Sequence, residues 1–158
     1  MGHTFTVVKP VGLPPFNRRG LVFLKSETIA EINACEVFGN LKPNPGREVR
    51  TSIDYWLQGK DDAPRRFHGF VEVGYRQCFT FKWREKRLEN RFYGFLCNPK
   101  PDTDKGFRLC VLMYHAAKTK WETDHAILDR VIGFRDDARV TQAIAQLYPE
   151  HKGFKKWN

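Results

Sequence analysis

The spacing of apolar positions changes along the chain, and the changes mark the elements. In "REVRTSIDYWLQG", Val49, Ile53, Trp56 and Leu57 recur at i, i+4, i+7 and i+8, one apolar face of a helix that Gly59 can end. Upstream, "LVFLK" at 21–25 reads as a strand, and Ser26 stands where it can cap a helix over "ETIAEINACEVF" before "GNLKPNPG" breaks the chain. In "RQCFTFKW" the period becomes two: Phe79, Phe81 and Trp83 alternate with Cys78, Thr80 and Lys82. "NRFYGFLC" and "FRLCVLMYH" follow as further strands, and "FHGFVEV" at 67–73 is a fourth, placed before them. A helix is predicted over "HAILDRVIGFRDD", capped by Thr123 or Asp124 and closed at Asp136 and Asp137, then a short one over "RVTQAIAQLY". At the amino end, "TFTVVK" at 4–9 reads as a short strand and "PVGLPPFNRRG" as a loop.

Strands joined by short connections pair antiparallel. A turn centred near residue 87 sets Lys82 opposite Arg91 and Thr80 opposite Tyr93. A second, centred near 102, sets Arg91 opposite Met113 and Tyr93 opposite Val111, with His115 one pair beyond on the same face. Lys82, Arg91, Tyr93 and His115 are therefore expected to converge at one end of one face. The other face carries Phe79, Phe81, Phe92, Leu96, Cys110 and Leu112, which can pack on helices. A slip of one residue would undo this convergence. The predicted fold is α+β: an antiparallel sheet of three to four strands with helices packed on one face. It forms a single domain over 1–158, with 1–19 and 138–158 as extensions.

Composition narrows the partners. Hydrophobic residues make up 41%, which excludes general disorder, and 27 Lys+Arg against 18 Asp+Glu give a net charge of +9. That charge favours a polyanionic partner. Apolar runs such as "LCVLMY" are too short to span a bilayer and the amino terminus lacks a signal-peptide pattern, so no membrane partner is expected and the cytoplasm is the expected compartment. Cys35, Cys78, Cys97 and Cys110 show no metal-ligand spacing, so neither a metal nor a cofactor is expected, and the three in strand-like runs act as small reduced hydrophobes.

The basic strand ends suggest a chemistry. Metal-free cleavage of RNA needs a base for the 2′-hydroxyl, cations for the charge on phosphorus and an acid for the leaving 5′-oxygen. His115 titrates near neutrality and can be acid or base. Arg91 offers a planar fork to phosphate, Lys82, Lys118 and Lys120 add point charges, and Tyr93 and Trp121 can stack on bases. Each has a plainer alternative. A histidine at a strand end is commonly structural, Arg91 can simply pair with Glu89, "KTK" can be a solvated loop, and Trp121 can lie under the following helix. The same face could also bind RNA without cutting it.

The order strand, two helices, three antiparallel strands, helix resembles the RelE/ParE superfamily of bacterial toxins, nearest to the HigB-like, phage-derived branch. In that branch the last strand runs through apolar residues to a histidine and a stretch like KKTQKTP. "VLMYHAAKTKWETDHAILDRV" is similar, matching at Val111, Leu112, His115, Lys118 and Thr123, while the double lysine is broken to "KTK" and Asp124 replaces the proline. "NRFYGF" keeps Arg91 and Tyr93, with Asn90 for a tyrosine. The resemblance covers about residues 20–137. It implies a ribosome-dependent mRNA endoribonuclease, with mRNA and the ribosome as partners and an antitoxin protein that covers the site. Arg91, His115, Lys118, Lys120 and Tyr93 would be catalytic, with Lys82 and Trp121 binding RNA. ParE-like members share the fold and act on gyrase, so a gyrase-directed toxin and a non-catalytic RNA- or protein-binding module are the alternatives.

Overall fold

The computed structural model describes residues 5–8, 18–61, 63–118, 125–149 and 155–156, of which 118, 155 and 156 by backbone alone. Six strands follow one another across a single sheet: β1 (Phe5–Val8), β2 (Arg19–Ser26), β3 (Phe67–Gly69), β4 (Cys78–Glu85), β5 (Leu88–Asn98) and β6 (Arg108–Lys118), in the spatial order β1-β2-β6-β5-β4-β3. A two-residue β7 (Lys155–Lys156) pairs with the end of β5. Every pairing is antiparallel except β2 with β6, which run parallel. The sheet is thus larger than the three to four strands expected and not wholly antiparallel. β6 enters between β2 and β5, and the chain between β2 and β6 spans two helices and three strands, long enough to return β6 in the direction of β2.

Helices cover both faces, not one. On the first face lie α1 (Ala34–Gly39) and α2 (Pro43–Leu57), packed on Phe23, Phe79, Phe81, Phe92, Cys110 and Leu112. The residues expected to meet helices therefore do so. Pro43 opens α2, where a missing N–H costs nothing, and Val49, Ile53, Trp56 and Leu57 are its buried stripe. The buried Arg19 guanidinium donates to the carbonyls of Trp56 (2.7 Å) and Lys60 (3.1 Å) and pairs with Asp61, tying the end of α2 to β2. On the second face lie α3 (His125–Arg135) and α4 (Ala138–Ala145), over Tyr93, Phe95, Cys97, Leu109, Val111 and Met113. α4 carries Val140 and Ile144 inward and also meets β1. The segments read as extensions thus supply β1, α4 and β7 to the sheet and its core. The three strand cysteines are buried and free, and burial pushes Cys78 up to about 12. They pack as small hydrophobes.

Two local expectations shift. Ser26 accepts from the amides of Thr28 (3.3 Å) and Ile29 (3.0 Å) in a tight turn, and the helix expected directly after it is confined to Ala34–Gly39. The strand expected over 67–73 stops at Gly69. Asp136 and Asp137 do end α3, their amides donating to the carbonyls of Ile132 and Phe134 (3.1 Å each), and Asp137 also caps α4, accepting from the Arg139 amide at 2.9 Å. The expected caps of α3, Thr123 and Asp124, lie outside the described residues.

Candidate functional site

The turn between β4 and β5 falls where the alternation placed it: Lys82 faces Arg91 and Thr80 faces Tyr93. The second hairpin does not keep one register. Phe95 pairs with Val111 and Gly94 with Leu112, but Tyr93 pairs with Tyr114, so Met113 is an extra residue, a β-bulge in β6. Met113 and Tyr114 both join the core under α3 and α4, and every residue beyond them changes face.

Gly94 permits the bulge. A Cβ there would sit 1.8 Å from the Val111 carbonyl oxygen and 2.8 Å from Leu112 Cα, so β6 approaches β5 at a distance no side chain tolerates. An isolated glycine inside a strand pattern is the sequence signal for such a feature. The expected register missed it.

The bulge separates the residues expected to converge. Lys82, Arg91 and Tyr93 remain on the second face. His115 lies on the first, paired with Phe92, its ring stacked on Trp83 at 5.6 Å between centroids. His115 Nε2 donates to Asn90 Oδ1 at 2.9 Å, and its backbone amide donates to Asn33 Oδ1 at 3.1 Å, beside α1. Burial lowers its pKa, with the Glu85 charge acting the other way. These contacts make it a joint between β6, β5 and the α1 side.

Tyr93 is fully buried in the core, so its ring is not free to stack on a base. Lys118 ends β6 with its backbone opposite Glu89, and Lys120 and Trp121 lie outside the described residues.

A different histidine shares the face of Lys82 and Arg91. β3 pairs with β4 so that His68 faces Thr80, one row from Lys82. Burial lowers the His68 pKa, its hydrogen bond to the Gly69 carbonyl acts the other way, and the charges of Lys82 and Arg91 add smaller lowering effects. Its Nδ1 lies 2.7 Å from the Gly69 carbonyl, which can only accept, so Nδ1 holds the proton and the neutral ring keeps its lone pair on Nε2. His68 is missing from the predicted site because its register depends on β3 pairing outside β4, which no local pattern reveals.

Arg91 is only 4% exposed, and its Nε and Nη2 both donate to Glu89 Oε2, at 2.8 and 2.5 Å. Burial alone would raise the Glu89 pKa, but the hydrogen bond from Arg91 and the charges of Arg91, Lys82 and Arg84 outweigh it and hold the carboxyl below its ordinary value. Lys82 is half-buried, and burial together with the Arg91 charge lowers its pKa. The cluster thus sets a lysine and an arginine, with one carboxylate that pairs with the arginine, on the face that carries the His68 imidazole, beside the rim of the sheet.

An open cavity of about 470 Å³ adjoins it, lined by Lys82, Trp83, Arg84, Glu89, Arg65 and Glu48 among others. The cations of its lining can hold an anionic group, while His68, which is not part of that lining, stands one strand over from Lys82 and can take or give a proton. Among the described residues no helix is long and apolar enough to cross a membrane. Comparison with family models, with curated proteins and with solved structures returns no match.

Proposed function

We propose that this protein is a RelE/ParE-like, HigB-like toxin that cleaves mRNA on the ribosome at the rim of the second sheet face. The observation that carries the reading is the grouping of His68, Lys82 and Arg91 on neighbouring strands, since these are the residue types that metal-free RNA cleavage requires. His68 Nε2 takes the proton of the 2′-hydroxyl, and the freed oxygen attacks phosphorus. Arg91 and Lys82 stabilise the charge that builds on the phosphoryl oxygens. The bond to the 5′-oxygen breaks, leaving a 2′,3′-cyclic phosphate, and the Lys82 ammonium protonates the departing oxygen. His68 thus takes the role expected of His115. Lys118 and Lys120 supply charge to the approaching strand, and an acidic antitoxin would cover the same rim.

The test is expression in bacteria with mapping of mRNA 5′ ends. Cleavage is expected to fall at least about a hundredfold in His68→Ala and in Arg91→Ala, the usual share of a general base or a charge-stabilising group. It should survive in His115→Gln. Cleavage unchanged in the His68→Ala, Arg91→Ala double variant rejects the assignment.

The ion pair of Arg91 with Glu89 favours a second reading, a basic module that binds RNA without cutting it. An arginine already neutralised by a carboxylate positions a strand more readily than it stabilises a transition state. RNA binding that weakens steeply with salt, with no new 5′ ends, selects that reading. Inhibition of supercoiling by purified gyrase, with mRNA intact, would point instead to a gyrase-directed toxin.

A further inference from the structure

β4 and β5 pair as far as Glu85 with Leu88, so the connection between them is two residues long, Lys86 and Arg87. Both lie in the left-handed region, with φ of 54° and 65°. A two-residue hairpin with both central residues at positive φ matches the right-handed twist of its strands, which is why it forms. It is also why Asn-Gly dominates such turns, because residues with a Cβ and a long side chain are strained there. Here both positions hold long cationic side chains. Both are exposed, and neither makes an ion pair among the described residues. Neither side chain contributes to the core, and each makes the turn harder to form.

The tip also has a place in a larger arrangement. Along β4, Lys82 and Arg84 share a face and lead outward to it, and Arg65 and Arg84 line the cavity beside Lys82. From Lys82 to Lys86 is four residues, about 13 Å at roughly 3.3 Å per residue. The cations thus form a track from the His68–Arg91 cluster out along the hairpin, longer than one phosphate needs.

We propose that the Lys86–Arg87 tip is a phosphodiester-binding finger that holds the backbone of a single-stranded RNA whose neighbouring phosphate enters the Lys82–Arg91 cluster. Backbone strain at the tip is accepted because it sets two cations side by side at the end of a rigid hairpin, where a flexible loop would lose entropy on binding. Contacts of this kind position a strand and carry no sequence preference. The inference rests on the RNA-directed reading above and adds a contact outside the cleavage site.

The experiment measures binding of the full chain to a labelled mixed-sequence single-stranded RNA by fluorescence anisotropy over a salt series. Lys86→Asn with Arg87→Gly removes both charges and relaxes the turn. Lys86→Gln with Arg87→Gln removes the charges and keeps the backbone demand, and serves if the first variant folds poorly. Lys25→Asn with Lys105→Asn removes two exposed charges elsewhere as the control. Both tip variants should bind at least about tenfold more weakly, with a salt slope shallower by about 1.4, from two phosphate contacts at about 0.7 each. The control should keep the parent slope, and the Asn-Gly variant should melt at or above the parent temperature.

An unchanged slope in both tip variants overturns the proposal. So does an equal loss in the control, or a parent protein that does not bind RNA. Tip-dependent binding with uncut mRNA defeats the nuclease reading alone, whereas cleavage with tip-independent binding defeats the finger alone.

Discussion

His68 and His115 stand on opposite faces, yet both have pKa values lowered chiefly by burial. A histidine whose folded pKa lies below its ordinary 6.5 binds protons more readily when unfolded, so acid favours unfolding. Their contribution to stability is complete above that value and is lost as pH falls through the lowered folded values. Glu89 behaves alike in a more acidic window, because its depressed pKa gives stability that is present above 4.5 and lost below it. Urea melts between neutral pH and the onset of the carboxylate window should show falling stability, and His68→Gln and His115→Gln should each flatten that slope. Only His68→Gln should also impair RNA cleavage. A parent stability that does not change across this interval would contradict both burial assignments.

At the scale of elements, the bulge at Met113 decides which residues can cooperate. It depends on Gly94, whose missing side chain lets the Val111 carbonyl cross the position of a Cβ. Gly94→Ala must part β5 from β6 or remove the bulge, and the second course would turn Tyr114 and Ala116 to the wrong face. Both are central strands, so the expected cost is about 4 kcal/mol or more, at the exceptional end for one substitution. Urea denaturation measures it, and a loss under about 1 kcal/mol would show that the close approach is not a feature of the folded chain. Gly94 was legible as an interruption of the strand. That the extra residue falls on β6 was not, because a bulge is shared by two strands and their pairing is a tertiary fact.

For the whole molecule, helices on both faces mean two cores separated by one sheet. Ile53 of α2 and Leu128 of α3 are each fully buried, in different cores. Ile53→Ala and Leu128→Ala should each cost about 3 kcal/mol. The double variant should cost their sum to within about 0.5 kcal/mol, because side chains that share no neighbours do not couple. A coupling energy well above that, from a double-mutant cycle in urea, would mean the two faces do not pack independently.

What the sequence determined by itself is local. Periodicities of 3.6 and two placed α2, α4, β4, β5 and β6, and alternation assigned Phe79, Phe81, Phe92 and Leu112 to a helix-covered face, because a side chain's direction follows from its own strand. The β4–β5 register followed as well, since a two-residue turn leaves little freedom. Tertiary structure decided the rest: β6 lies parallel to β2, β3 flanks β4, and β1 and α4 are drawn into the sheet and its core. It also moved His115 to the other face and put His68, on β3, on the face of Lys82 and Arg91. The reason is physical, since alternation fixes facing only until one residue is inserted, and whether a strand takes that extra residue depends on the backbone lying against it.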